Sequence, residues 1–366
     1  MISKEQGSSL FFFYSIAVDH YISVDELIGA LPSGDGRVGL DLEADSLYRY
    51  AERICLVQVC YGKEVKLIDP LAEESLDPLV DWLGSARIWM HGADYDMTLM
   101  LGEWKMVPPM LYDTQIAAQL LGHQRFGYAS LVEQYFGVEL SKSSQKADWG
   151  KRPLSSKMLE YACNDVRYLL PLAHEVEAKL KELGRYEWFL ESCEAAQTRV
   201  KKREGEEKEA WRISGSGRLQ PTGLRFLRAV WNWRDGEAAA WNRPSFMVAT
   251  NKQLIAWATD LAEGREINLP PKLRPDRSQR LGAAIKEAEG IPESEWPVRP
   301  KRVRQRYDET FEKRLKELME NRNQIAENLG IDPSIVASRG VLEQIVAGRV
   351  DPADILLKWQ LSLLEL

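Results

Sequence analysis

The chain has 366 residues, 45% hydrophobic and 28% charged, which allows two or three domains of about 100–200 residues and excludes a single small module. No apolar run approaches the ~20 residues of a membrane-spanning helix, and the four cysteines, Cys55, Cys60, Cys163 and Cys193, contain no Cys-x-x-Cys pair. The formal charge of −7 conceals an asymmetry: residues 1–192 carry 18 Lys and Arg against 29 Asp and Glu, whereas residues 193–366 carry 30 against 26.

That cysteine usage suits a reducing cytoplasm, and the scattered histidines His20, His91, His123 and His174 lack zinc-finger spacing, so any metal should be held by oxygen. The acidic half, if its carboxylates cluster, suits divalent cations; the more basic half could attract a polyanion.

In chain order, Leu10–Val18 is too short and too poorly flanked for a signal peptide and reads as a buried strand, with Phe12–Val18 its core. Ser23 and Glu26 have capping-box spacing, which predicts a helix to about Leu31, stopped by Pro32-Ser33-Gly34-Asp35-Gly36. Strands follow at Val38–Glu43, Leu56–Tyr61, Val65–Asp69, Ile88–His91 and Leu111–Asp113. The first three are joined too closely for helical crossovers, so part of the sheet must be antiparallel. With helical segments between later strands, the first 195 residues read as an α/β domain.

A mixed-charge run, Arg199–Lys208, then marks a linker or an exposed helix end, and residues 196–222 are taken as the connection. Helical periodicity over Leu224–Asn242 and Lys252–Leu261 places an all-helical unit at 223–290. A second linker, 291–307, carries Arg299, Lys301, Arg302, Arg304 and Arg306 and three prolines. Beyond it, Thr310–Leu329, Pro333–Ser338, Gly340–Ala347 and Pro352–Leu364 form a helical unit at 308–366.

Three segments carry the suggestive chemistry. Asp41 and Glu43 are two apart at the end of an apolar strand, hence on one face, where two like charges favour a hard cation or an exit to solvent. Asp94 and Asp96 follow the strand that ends in His91-Gly92. Tyr161 and Asp165 are four apart and share a helical face.

Together, Asp41-x-Glu43, an Asp beyond a His-Gly boundary and Tyr-x-x-x-Asp resemble the DEDD 3′–5′ exonucleases of the tyrosine subgroup. Leu56-Val57-Gln58-Val59, Leu67-Ile68-Asp69-Pro70, Asp113-Thr114 and Asp148-Trp149-x-x-Arg152-Pro153-Leu154 extend the resemblance to the ribonuclease D branch over residues 36–175. Leu224-x-x-Leu227, Trp233-Arg234-Asp235 and Asn242-Arg243-Pro244 resemble a helicase-and-RNase-D-C-terminal (HRDC) domain, and residues 308–364 resemble a diverged second copy. Asp41-Leu42-Glu43-Ala44 departs from the family's Asp-Thr-Glu-Phe, and Asp94 is an additional acid.

The resemblance implies a ribonuclease H-like mixed sheet flanked by helices, followed by two small all-α HRDC-like bundles. It also implies that Asp41, Glu43, Asp96 and Asp165 hold two Mg²⁺ or Mn²⁺ ions, Asp96 being five residues after His91 as the family's acid is. Tyr161 would orient the attacking water. A cytoplasmic, monomeric 3′–5′ exoribonuclease releasing nucleoside 5′-monophosphates and trimming tRNA precursors or other structured RNA is the expectation, with no membrane partner. His91 and the Arg299–Arg306 cluster are candidate substrate contacts; Trp231, Trp233 and Trp241 suit either base stacking or core packing. A DNA exonuclease of the same fold and a non-catalytic RNA-binding relic are the alternatives.

Overall fold

The computed structural model describes residues 21–31, 36–204, 209–269, 273–299 and 308–366. The strand expected over Phe12–Val18 lies outside them, as do Lys301, Arg302, Arg304 and Arg306. Among the described residues no helix is long and apolar enough to cross a membrane.

The chain opens with α1 (Val24–Ala30), where Ser23 caps the Glu26 amide and Glu26 reaches back to the Ser23 amide. Next come β1 (Arg37–Ala44), β2 (Ile54–Tyr61), β3 (Glu64–Ile68), α2 (Asp77–Leu83), β4 (Arg87–Met90), α3 (Asp94–Trp104) and β5 (Leu111–Asp113). The strands form one five-stranded sheet in the order β3-β2-β1-β4-β5. β1 pairs antiparallel with β2 and β2 with β3, as the short connections require, whereas β1–β4 and β4–β5 are parallel and connected through helices.

Seven of the eight β2 residues are buried, because helices cover both faces of the sheet. Alternate side chains go to different cores: Val57 and Val59 join α1, α2 and α3 on one face, while Leu56 and Cys60 join the opposite layer. That layer contains α4 (Thr114–Leu120), α5 (Tyr128–Phe136), α6 (Ser156–Arg167) and α7 (Leu169–Glu182). Gly39 matters here, since a Cβ at that position would collide with Cys60 and press on Leu169, lifting the helices away from β1. α8 (Tyr186–Glu204) passes the boundary expected at residue 195, and its Ala196 and Val200 still pack in the first core.

α9 (Pro221–Trp241), α10 (Asn251–Ala262) and α11 (Pro275–Glu289) enclose a separate core around Leu224, Leu227, Val230, Leu254, Trp257 and Leu281. α11 was not among the expected helices. α12 (Glu309–Leu329), α13 (Pro333–Val336), α14 (Arg339–Val346), α15 (Pro352–Ile355) and α16 (Lys358–Leu364) build a further small core. The single segment expected over Pro352–Leu364 is thus two helices, interrupted by an extended Leu356. All four cysteines are buried free thiols.

Candidate active site

The site forms where β1, α3 and α6 meet. Strand periodicity aims Asp41 and Glu43 at the face covered by α6, the face on which Gly39 lets the helices approach. α6 starts at Ser155, whose hydroxyl accepts from the Met158 amide, and one helical turn brings Tyr161 and Asp165 over the sheet. One carboxylate oxygen from each of Asp41, Glu43 and Asp165 fits within a group whose members lie within 4.8 Å of one another. Asp96, 8% exposed in the first turn of α3, stands outside that tight group but close enough to raise the Asp41 and Glu43 carboxyls.

The electrostatics are those of crowded, partly desolvated acids. Burial first, then the charges of Asp96, Asp165 and Glu43, hold the Asp41 carboxyl well above the usual carboxylate range. Glu43 is raised by burial, then by Asp165 and Asp96. Burial pushes Asp96 and Asp165 up to about 7, opposed at Asp165 by a hydrogen bond from Tyr161. Like charges in such proximity resist joint ionisation, and an all-oxygen donor set of this kind fits a hard divalent cation.

Tyr161 is half-buried, its ring tilted against Trp149 with centroids 6.0 Å apart. Burial and the negative field of Asp165 and Glu43 push its hydroxyl up, so it is a neutral phenol at physiological pH. Trp149 is itself placed by Arg152, which donates to the Trp149 carbonyl (2.7 Å), the Cys55 carbonyl (2.6 Å) and both oxygens of Asp69 (2.5 and 2.6 Å).

Asp94, the additional acid, is exposed and pairs with Arg203 at 2.7 Å instead of joining the cluster. His91 places Nδ1 2.9 Å from Thr114 Oγ1 and its ring 5.5 Å from Tyr128, which packs it at the junction between the end of β4 and the start of α4. Arg299 donates to the main-chain carbonyls of Arg218 and Leu219, tying the end of the described 273–299 segment to the first helical unit rather than offering its guanidinium to phosphate. Of the three tryptophans considered for stacking, Trp233 is buried and Trp231 half-buried, whereas Trp241 is 44% exposed under the Arg277 guanidinium.

Sequence reasoning did not single out Asp113 as a site-building residue. Its carboxylate accepts from the amides of Gly92 (2.8 Å), Ala93 (3.0 Å) and Gln115 (2.8 Å), pinning the entry to α3 and the start of α4 together. An aspartate at a strand-to-helix boundary signals an N-cap. That it also holds the neighbouring helix is a tertiary fact.

A family model described as 3′-5′ exonuclease matches residues 16–181. The ribonuclease D of Xanthomonas oryzae pv. oryzae is 32% identical over 349 residues, covering 93% of each chain. That of Haemophilus influenzae is 30% identical over 321 residues, covering 84% of this chain and 79% of the relative. Among solved structures, Escherichia coli RNase D, described as an exoribonuclease involved in structured RNA processing, aligns with TM-score 0.71 and 25% identity over 94% of this chain and 95% of that one. A protein from Bifidobacterium adolescentis aligns with TM-score 0.77 and 26% identity over 95% of both chains. The α/β nuclease sheet with its helical extension and acidic cluster therefore defines a 3′–5′ exonuclease. The chain belongs to the ribonuclease D family and is a 3′–5′ exoribonuclease. The DNA-exonuclease and binding-relic alternatives give way to that assignment.

Proposed function

We propose that the enzyme shortens the 3′ ends of tRNA precursors or other structured RNAs, using two divalent cations, Mg²⁺ or Mn²⁺, held by Asp41, Glu43, Asp96 and Asp165. The observation that carries this reading is the convergence of the Asp41, Glu43 and Asp165 oxygens, with Asp96 adding its charge from α3. When bound, the cations supply Lewis acidity toward the attacking water and the leaving oxygen of an in-line displacement. Asp41, Glu43, Asp96 and Asp165 would hold the cations in their ionised forms, losing any bound protons to solvent.

Tyr161, protonated and braced by Trp149, keeps its O–H on Asp165 and orients the water nucleophile through its oxygen, which accepts a hydrogen bond from that water, since a phenol in this field makes a poor base. The proposal places the enzyme in the cytoplasm as a monomer, a setting that suits four unpaired thiols. The helical units supply the RNA contacts that an acidic nuclease unit lacks, and domain limits near 223, 290 and 308, with the nuclease unit extended through α8, are part of the same reading.

The test follows a 5′-labelled structured RNA with a 3′ tail and a fully unstructured RNA in Mg²⁺, Mn²⁺ or EDTA, comparing wild type with Asp41→Asn and Asp165→Asn. Stepwise, metal-dependent RNA shortening that both substitutions abolish is expected. Full activity in EDTA, or in both variants, sinks the cation reading; equal cleavage of tailed and fully unstructured RNA sinks the structured-substrate reading.

A further inference from the structure

Gln58 lies in the middle of β2, directly opposite Asp41 on β1 and Leu67 on β3. Residues opposed across a ladder share a face of the sheet. Gln58 therefore stands in the same row as Asp41, beneath the α6 layer that carries Tyr161 and Asp165. The residue is fully buried, and neither its Nε2 nor its Oε1 has a hydrogen-bond partner.

Its surroundings make that arrangement costly. The flanking residues Leu56 and Cys60 on the same face, together with Leu67, Ala162, Cys163 and Val166, belong to one hydrophobic core. A carboxamide without partners in such a place loses its hydration and gains nothing back. A methionine or leucine would fill a similar volume without that loss, so packing gives no reason for a glutamine. Proximity to the acidic cluster does. An ionised carboxylate offers about four acceptor positions, and the hydrogen bond that lowers Asp41 comes from the Leu42 backbone.

We infer that Gln58 is a positioning residue of the cation site: its Nε2–H group donates to the Asp41 carboxylate when that group is ionised around a divalent cation, fixing which oxygen faces the ion. The amide is the neutral donor that can sit inside the core without adding a charge to four acids. The inference rests on the cation reading above and assigns Gln58 a role through Asp41, with no contact to RNA.

Mn²⁺ titration by calorimetry and thermal melting in EDTA test it on the full chain, with Gln58→Met, Gln58→Leu and Asp41→Asn beside wild type. Removing a partner of a metal ligand lowers metal affinity about 10–100-fold. Both Gln58 variants are expected to bind Mn²⁺ at least tenfold more weakly. The same variants should melt about 2 °C or more above wild type in EDTA, because the orphaned amide is gone. Mn²⁺ affinity within twofold of wild type in both Gln58 variants, with binding lost in Asp41→Asn, overturns the Gln58 role and leaves the cation site standing. Undiminished binding in Asp41→Asn overturns the cation reading itself. Weaker binding accompanied by a lower melting temperature in EDTA for both Gln58 variants marks Gln58 as a packing residue and also overturns the role.

Discussion

Crowding four carboxyls under one helix gives the free enzyme a pH-dependent weakness at individual residues. Asp96 and Asp165 titrate at about 7 in the folded chain against an ordinary value of 3.8. Across that interval the unfolded chain has released protons that the folded chain still holds, so the two groups withdraw stability as pH rises from about 4 to about 7. Below the unfolded value the effect is absent, and above the folded value it is complete. Cation binding needs the ionised forms and reverses the loss. The melting temperature in Mn²⁺ minus that in EDTA is therefore expected to widen steadily between pH 5 and pH 8, and calorimetry in both buffers measures it. A constant difference contradicts the account. At Tyr161 the relevant change is Tyr161→Phe, which retains the ring against Trp149 and removes the hydroxyl. A fall in kcat of about 10²-fold, with KM for RNA nearly unchanged, is expected from losing one oriented proton contact in the transition state.

Among the elements, local chemistry is legible where a short stretch contains its own explanation. Ser23 and Glu26 announce α1, and the short joins among the first three described strands announce antiparallel pairing. α11 escaped because only Leu281 and Ala288 are buried along a highly charged helix, leaving a faint apolar stripe. The break between α15 and α16 has a tertiary cause: Glu191 of α8 accepts from the amides of Lys358 and Trp359, providing the start of α16 from outside the segment. In the site, spacing and family resemblance reached Asp41, Glu43, Asp96, Tyr161 and Asp165. Asp113 and Gln58 stand in the sequence only as members of family-like motifs, and their contacts depend on cross-sheet neighbours that no linear pattern displays. Asp113 gives this scale its test. Asp113→Ala leaves three amide donors at the helix entries without their acceptor and should cost about 3 kcal/mol. Because α3 carries Asp96, kcat should fall along with the urea midpoint, and a variant with lowered stability but intact kcat would separate Asp113 from the site.

Across the whole molecule, both helical units dock on the helices and loops of the nuclease unit, by different means. Arg185 joins the carbonyl of Leu120 to that of Leu329 through two donated bonds of 2.7 Å, and Trp188 stacks on Trp359 at 5.0 Å, so the C-terminal unit is held by apolar and buried polar contacts. Gly122, with φ of +84°, brings its backbone so close to the Gly330 carbonyl that a side chain would clash. The first unit instead grips the loop that follows Glu43. Tyr50 donates to Asp235 at 2.8 Å, Arg243 donates to the Tyr48 carbonyl at 2.8 Å, and the Asn242 side chain accepts from the Tyr50 amide at 3.4 Å. These are exposed or half-exposed polar bonds, each contributing on the order of 1 kcal/mol, so together they bias the placement of the unit without fixing it. The loop has its own supports, the buried Asp45 accepting from Arg53 and Tyr48 donating to the Lys146 carbonyl. Tyr50→Phe combined with Arg243→Ala should therefore leave hydrolysis of a short unstructured RNA within severalfold of wild type. The same pair frees the first helical unit to move, so the radius of gyration in solution scattering should increase and KM for a structured RNA should rise severalfold. An equal loss on both substrates would mean that the contact shapes the catalytic strand, and that the docking of the helical unit acts on chemistry as much as on RNA capture.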